Sequence, residues 1–317
     1  MKFNLIQYVI LVIVVSMTAF VITPLFRNIA RRLKILDYPG GRKLQANPVA
    51  YLGGLAIITP ITFGSFLLVF SSLSIDLKQQ LFLGLVIPAF AIAFIGLLDD
   101  IYQLKPWPRF ISQSAVGVIT SFMLDLSGAG VELFDNQLLN SMATIIWVVT
   151  IINAVNFIDN MDGLATSISI VVSLALFVLS YLNGQYLVAA LSLAIFSSCL
   201  GFLFWNKRPA SIYLGDAGAL YLGFLLAAIS IRIDLENDST SIRVLVLILI
   251  LAIPVIDTTQ VVISRLIKGK SPFQGGRDHI SHLLLNRGLS QKAALFTLIT
   301  AQIFFATCAI FLAEVFD

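Results

Sequence analysis

The sequence has few charged residues. Aspartate, glutamate, lysine and arginine make up 12% of the 317 residues and hydrophobic residues 58%. A soluble domain is about 25% charged. This composition excludes an ordinary soluble domain and indicates a protein embedded in a membrane.

Cysteine and histidine are also scarce. The two cysteines, Cys199 and Cys308, lie in apolar runs, which argues against a disulfide framework or a cysteine-based metal site. The only histidines are His279 and His282. A zinc site at this pair would therefore lack the further ligands that zinc requires.

Apolar stretches long enough to cross a bilayer recur along the whole chain. We therefore predict an all-α polytopic membrane protein of about ten transmembrane helices, with residues 1–317 forming a single transmembrane domain. The first stretch lacks the cleavage pattern of a signal peptide, so we expect it to be retained. The predicted spans are 4–26, 51–71, 79–98, 110–127, 139–157, 164–182, 186–205, 217–233, 242–263 and 291–314.

The basic residues are distributed unequally between the two sets of loops. Of the 20 lysines and arginines, all but Lys2, Lys78, Arg232 and Arg243 fall in one set. Basic loops face the cytoplasm. We therefore expect a protein of the inner (plasma) membrane, with cytoplasmic catalytic loops and both termini outside.

A polar segment lies between two of the apolar runs. It contains five amide and carboxylate side chains, Asn153, Asn156, Asp159, Asn160 and Asp162. Burying such groups is costly, so a functional site is favoured, although hydrogen bonds between helices would also explain the asparagines. Residues three apart on a helix drift about 60° around its axis. We therefore expect the helix to break near Gly163 and to direct the two aspartates into a cavity.

Further acidic residues lie at predicted helix ends on the cytoplasmic side. Asp99 and Asp100 end the third predicted helix, where they could bind a cation or act as a general base. A solvated helix end is the alternative, but acids at a C-terminus oppose the helix dipole. Asp216, in Leu-Gly-Asp-Ala-Gly, suits a hard cation, and an N-cap is the alternative.

Two cytoplasmic loops combine features suited to phosphate binding. Arg277 precedes His279 and His282, a grouping that suits phosphate oxygens. Lys43 follows Arg42 in the first cytoplasmic loop. The Arg42-Lys43 pair could equally serve only to keep this loop on the cytoplasmic side of the membrane, as basic loop residues commonly do.

Taken together and in this order, the motifs resemble those of the polyprenyl-phosphate N-acetylhexosamine-1-phosphate transferases. The resemblance runs from about Asp37, in Asp-x-Pro, through Arg-Lys at Lys43 and the later motifs to His282. It implies transfer of a sugar 1-phosphate from a UDP-N-acetyl sugar to a polyprenyl phosphate, with release of UMP. The implied partners are these two substrates and the membrane, with no nucleic acid, and a homodimer stays open. The implied cofactor is Mg²⁺, with Mn²⁺ as a substitute.

The resemblance also implies roles for individual residues. Asp216 would be the main Mg²⁺ ligand with Asn156 beside it, and Asp99 and Asp100 would deprotonate or position the lipid phosphate. Asp257 matches a further family position, but its sequence surroundings assign it no role. The remaining positions would bind phosphates (Lys43, Arg109), line the nucleotide pocket (Asn153, Asp159, Asp162) and bind the sugar-diphosphate end (Arg277, His279, His282).

The histidine loop is similar to the version in the N-acetylglucosamine (GlcNAc) branch, which reads His-Ile-His-His. Ser281 replaces one histidine here, and Gln45 stands where the first loop often has another. We expect GlcNAc 1-phosphate transfer, with phospho-MurNAc-pentapeptide or another UDP-N-acetyl sugar as the alternative. A transporter for an anionic or ion-coupled substrate is a more remote alternative. Such proteins place charges near the midplane on broken helices, often with inverted repeats, whereas here the polar groups cluster at one face and no repeat is found in the sequence.

Overall fold

The computed structural model describes residues 3–39, 47–66, 82–126, 133–233, 235, 240–271 and 276–315. Within these ranges the chain is mostly helical, with one short two-stranded ribbon. A π-helical turn, Phe82–Val86, leads into α3. The strands are β1 (Leu36–Asp37) and β2 (Val49–Ala50). The helices are α1 (Leu5–Arg32), α2 (Gly53–Ser65), α3 (Ile87–Tyr102), α4 (Pro106–Leu126), α5 (Gln137–Ile158), α6 (Leu164–Leu182), α7 (Tyr186–Asn206), α8 (Gly215–Ile231), α9 (Thr240–Ile250), α10 (Ala252–Ile267), α11 (Ile280–Asn286) and α12 (Gln291–Val315).

Several helices are long and apolar enough to cross a membrane. Among the described residues there are six: α1, α3 with its preceding turn, α5, α6, α7 and α12. The pair α9 and α10 would be a seventh if counted as one span. The chain is thus an all-α, multi-pass membrane protein. Each predicted span contains a helix, but the predicted count of about ten is not confirmed, because helices such as α2 and α8 are only 13 and 17 residues long.

The span predicted at 242–263 is broken rather than straight. Helices α9 and α10 meet at 85°, and Pro254 lies in the first turn of α10, a position that tolerates proline's missing N–H. The buried amide of Gln302 bonds to the backbone on both sides of the break: its Oε1 accepts from Ile253 N at 3.0 Å, and its Nε2 donates to Ile250 O at 2.7 Å. The prediction of one continuous helix was therefore wrong, because α12 supplies partners for backbone groups that a straight helix would have paired internally.

Helix α8 forms the centre of the bundle. Every residue from Ala217 to Ser230 is buried, and the helix packs against α2, α3, α5, α6 and α7. A helix that is apolar all round is stable only inside such a core. Its N-terminus is therefore held in a fixed position by its neighbours.

Glycines let the neighbouring helices approach α8 closely. A Cβ atom added to Gly96 of α3 would lie 2.5 Å from Asp216 O, and one added to Gly54 of α2 would lie 2.4 Å from Gly218 N. Small residues at such crossings bring helix backbones together in membranes. At Gly96, this contact brings the end of α3 against the start of α8.

The Gly96→Ala substitution should therefore destabilise the protein. The added methyl group meets backbone atoms that cannot rotate away, and overpacking of this kind costs about 1–3 kcal/mol. Gly117→Ala in α4 is the matched control, because its Cβ would have no neighbour nearer than 3.4 Å. Thermal unfolding in detergent should give a lower Tm for Gly96→Ala than for Gly117→Ala, and equal values would contradict this account of the crossing.

The ribbon joins the first loop to the connection between α7 and α8. Leu36 pairs with Ala50 in antiparallel register, and Ala50 O accepts a hydrogen bond from Tyr213 N at 2.8 Å. Gly53 N in turn donates to Tyr213 O at 3.1 Å. The segment preceding Asp216 is thus held between the ribbon and α2.

Candidate active site

A large polar cavity opens at one end of the bundle. Its volume is about 1310 Å³, and it is lined by the ribbon, the ends of α3 and α5, and the starts of α4 and α8. Lys34, just after α1, and Gln291, the first residue of α12, also line it. Helix α1 therefore runs toward the cavity and α12 runs away from it, so both described chain ends lie at the opposite end of the bundle.

Acidic side chains outnumber basic ones around this cavity. The basic side chains among the described lining residues are Lys34, Arg109, Arg208 and the imidazole of His282, and the acidic ones are Asp37, Asp99, Asp100, Asp159, Asp162 and Asp216. Such a concentration of carboxylates is costly to bury without cations. The cavity therefore favours binding of a positive ion.

The carboxylate of Asp216 lies at the centre of the cluster. Its Oδ1 accepts a hydrogen bond from Asn156 Nδ2 at 2.5 Å, and its Oδ2 accepts one from Arg109 Nη1 at 3.0 Å. The same Arg109 nitrogen is paired with Asp99. Side chains from α4 and α5 thus converge on this carboxylate of α8, and Asn156 presents its amide nitrogen to it.

Asp100 caps the helix that carries Asp216. Its Oδ1 accepts from Asp216 N at 2.8 Å and its Oδ2 from Ala217 N at 3.1 Å. Gly215 has a φ of +73°, and a Cβ there would lie 2.7 Å from the Asp100 carboxylate, so the turn requires glycine. Asp216 itself is not the N-cap residue; the cap comes from α3.

Asp99 is likewise not a solvated helix end. It is buried, and its Oδ1 accepts from Leu104 N at 2.6 Å while its Oδ2 pairs with Arg109. Gln103 ends α3 in the left-handed region, with a φ of +51°. That turn folds the chain back so that Arg109 of α4 contacts Asp99 and Asp216.

The polar segment after α5 forms one wall of the cavity. Helix α5 ends at Ile158, and Gly163, with a φ of +74°, precedes α6. The predicted helix break is therefore present, and both Asp159 and Asp162 line the cavity. Asp162 also accepts a hydrogen bond from Ala210 N at 3.1 Å, which ties this wall to the connection between α7 and α8.

The pKa of the Asp159 carboxyl is raised. Burial, together with the nearby carboxylates of Asp216 and Asp162, raises the pKa of Asp159 to about 8. Burial and neighbouring negative charge both disfavour the ionised form. A cation in this part of the cavity would relieve that cost.

Asn153 lies outside the cavity wall. Its Nδ2 donates to Gln113 Oε1 at 2.7 Å and to Val149 O at 2.8 Å, and it is not among the residues lining the cavity. The structure thus places it in an interhelical hydrogen bond with α4. This is the alternative that the sequence left open for the asparagines.

One residue of the histidine segment (residues 277–282) lines the cavity. His282 lines it, whereas Arg277 and His279 are not among the described lining residues. Burial lowers the pKa of His282, and the nearby His279 and Arg277 lower it further, which favours a neutral imidazole at neutral pH. Lys43 lies outside the described residues.

Two tyrosines that the sequence did not single out also line the cavity. Tyr51 and Tyr213 have ring centroids 6.1 Å apart. Burial raises the pKa of both hydroxyls, and Asp37 adds to the effect at Tyr51. The only sequence signal that could have indicated them was their position: Tyr51 lies two residues before Gly53-Gly54, and Tyr213 lies directly before Leu-Gly-Asp.

The residues present fit a magnesium ion shared with a bound substrate. Within the described ranges, no group of three or more histidine, cysteine or acidic side chains is arranged to hold a metal. Mg²⁺ is commonly bound through one or two carboxylates plus substrate phosphates rather than by a complete protein cage. Asp216 with its oriented carboxylate suits such a partial site.

A separate apolar groove runs along one face of α10. Its volume is about 620 Å³, and its lining includes Val255, Ile256 and Ile263, with Lys268 at the C-terminal end of the helix. Lys268 Nζ lies 3.6 Å from Asp278 Oδ1. The groove therefore extends toward the histidine segment.

Comparison with known proteins gives a consistent picture. Residues 82–234 match the family described as glycosyl transferase family 4. A Bacillus subtilis (strain 168) protein, described as a "probable undecaprenyl-phosphate N-acetylglucosaminyl 1-phosphate transferase", is 31% identical over 314 residues, covering 98% of this chain and 86% of the relative. The Escherichia coli (strain K12) undecaprenyl-phosphate alpha-N-acetylglucosaminyl 1-phosphate transferase is 28% identical over 296 residues, covering 89% and 78%. The Mycolicibacterium smegmatis decaprenyl-phosphate N-acetylglucosaminephosphotransferase is 29% identical over 316 residues, covering 89% and 77%.

These similarities extend over most of each chain and are not confined to isolated motifs. The chain therefore belongs to glycosyl transferase family 4.

Proposed function

We propose that this protein transfers GlcNAc 1-phosphate from UDP-GlcNAc to a polyprenyl phosphate such as undecaprenyl phosphate, releasing UMP. The observation that carries the proposal is the convergence of Asp99, Asp100, Arg109 and Asp216 at the buried start of α8. Membership of a family whose relatives are named for this transfer supports it.

The proposed cofactor is Mg²⁺, held by Asp216. Support comes from the excess of carboxylates and from the hydrogen bond by which Asn156 orients Asp216. When bound there, the ion supplies the charge neutralisation that a diphosphate donor needs. Arg109 adds a fixed positive charge beside the same carboxylate.

In the proposed reaction, an oxygen of the acceptor phosphate attacks the β-phosphorus of the UDP-sugar. The bond from that phosphorus to the bridging oxygen breaks, and the electron pair leaves with UMP. The residues of this chain position the two anions and stabilise their charge, which is what phosphoryl transfer chiefly requires. Both carboxylates already have partners on each oxygen, Asp99 with Leu104 N and Arg109 and Asp100 with two α8 amides. Either one would receive a proton from the acceptor only by exchanging one of these partners.

The polyprenyl chain needs an apolar surface that is open to lipid. The groove on α10 provides one, and Lys268 offers a positive charge at its end. We place the acceptor there, with its phosphate directed toward the cavity. We also place the cavity on the cytoplasmic side of the plasma membrane, where UDP-sugars are available, which puts both termini outside.

A panel of UDP-sugars tests this proposal. Purified protein should release UMP in the presence of undecaprenyl phosphate and Mg²⁺, with the highest kcat/KM for UDP-GlcNAc among UDP-GlcNAc, UDP-GalNAc and UDP-MurNAc-pentapeptide. A preference for the last would overturn the sugar assignment. Absence of UMP with every donor would overturn the transferase itself.

A further inference from the structure

Asp257 is a buried carboxylate that the proposed reaction does not use. Its side chain is 3% exposed on α10, and it is not among the described residues lining the cavity. Its Oδ2 lies 2.8 Å from His279 Nδ1, and its Oδ1 accepts a hydrogen bond from Ile280 N at 2.7 Å. Both oxygens are thus committed to consecutive residues of the histidine segment.

The imidazole of His279 is enclosed on several sides. It is 7% exposed, with the ring of Phe157 edge-on at 5.9 Å and the ring of His282 at 6.2 Å. The residue before it is held as well, because Arg265 Nε donates to Asp278 Oδ2 at 3.1 Å. Helix α10 therefore fixes both Asp278 and His279 through buried charged side chains.

We propose that Asp257 is a positioning residue for the two histidines. It holds the His279 proton on Nδ1 and fixes the first turn of α11, and so it places His282 in the cavity wall. The hydrogen bond at one ring nitrogen sets the tautomer of a neutral histidine. A buried carboxylate holds the imidazole of a catalytic triad in the same way. This inference rests on the proposed transfer reaction.

The contact can be measured directly because the chain contains only two histidines. Protein labelled with ¹⁵N-histidine in detergent will give two imidazole spin systems, whose nitrogen shifts report the tautomer of each ring at mildly alkaline pH. One ring of the wild type should carry its proton on Nδ1. Asp257→Ala should shift that ring toward the Nε2–H form, and Asp257→Asn, which retains the shape and one acceptor oxygen, should change the same ring less.

Kinetics give the second readout. Asp257→Ala should lower kcat by about 100-fold, the scale of a small misplacement of reacting groups, with little change in the KM for UDP-GlcNAc. Asp257→Asn should lie between Asp257→Ala and the wild type, which keeps the test usable if the alanine variant does not fold. Asp125→Asn is the matched control, since Asp125 accepts a hydrogen bond from Ser141 near the opposite end of α4.

Two results would overturn the inference: a wild-type spectrum with both rings in the Nε2–H form, or a tautomer change in Asp257→Ala with wild-type turnover. The spectrum does not depend on turnover. A protein that is inactive on all UDP-sugars would therefore refute the proposed function separately, while the tautomer still decided the Asp257 contact.

Discussion

Replacing Asp216 with asparagine should reduce sugar 1-phosphate transfer by at least about 1,000-fold, equivalent to roughly 4 kcal/mol of transition-state stabilisation. The amide can still accept a hydrogen bond from Asn156 or Arg109, which now contact the carboxylate. It loses the negative charge that would hold a divalent cation. The fold should therefore survive while the reaction does not.

A measurement of Mn²⁺ binding distinguishes loss of the metal site from general disruption of the fold. The wild type should bind Mn²⁺ in the presence of UDP, as followed by electron paramagnetic resonance, and Asp216→Asn should not. Asp125→Asn should match the wild type in both binding and turnover, because Asp125 lies far from the cavity. Turnover of Asp216→Asn within tenfold of the wild type would remove Asp216 as the metal ligand.

Replacing Asp99 or Asp100 with asparagine should cost about 100- to 10,000-fold in kcat, the range for loss of a positioned acid or base. The two variants should differ in stability. Asp100→Asn would set an amide against the N–H groups of Asp216 and Ala217, leaving a buried donor unpaired at a cost of about 1–3 kcal/mol. Asp99→Asn keeps an acceptor for Leu104 N. Arg109, which is 23% exposed, keeps its second partner, Asp216, so this variant should be closer to the wild type in stability.

The difference is measurable by pairing kcat with thermal unfolding in detergent. Asp100→Asn should lower both kcat and Tm, whereas Asp99→Asn should lower chiefly kcat. The opposite pattern would contradict the stabilising role of the Asp100 cap on α8. Normal turnover in either variant would remove that residue from the reaction.

The end of α5 could be predicted because its signal is local. Polar residues spaced three apart cannot share one narrow face of a helix, so a helix end aimed into a cavity followed from the spacing of Asn156, Asp159 and Asp162. The same spacing could not predict which neighbouring helix Asn153 contacts. Which neighbour a polar residue faces depends on the rotation of the helix, and here Asn153 faces Gln113 of α4.

The role of Asp100 could not be predicted from local sequence. Taken separately, Asp216 could be an N-cap and Asp100 a helix end. The structure joins residues 116 positions apart, so that Asp100 caps α8 and leaves the side chain of Asp216 free to face Asn156 and Arg109. Only tertiary packing, here the close approach at Gly96, decides between these assignments.

The break between α9 and α10 was missed for a similar reason. An apolar run containing one proline is compatible with either a kinked span or a broken one. The broken form is stable here because Gln302, which lies in the apolar α12, bonds to the backbone on both sides. The same break orients α10 so that Asp257 contacts His279 and Arg265 contacts Asp278.

The most direct test of the proposed function is the fate of the β-phosphate. UDP-GlcNAc carrying ³²P at the β position is incubated with the purified protein, Mg²⁺ and undecaprenyl phosphate, and the products are partitioned between butanol and water. We predict that the label enters the lipid phase in equal amount to the UMP released into water, and that Asp216→Asn abolishes both. Label remaining in the water phase as UDP or as free sugar phosphate would contradict transfer of a sugar 1-phosphate by this chain.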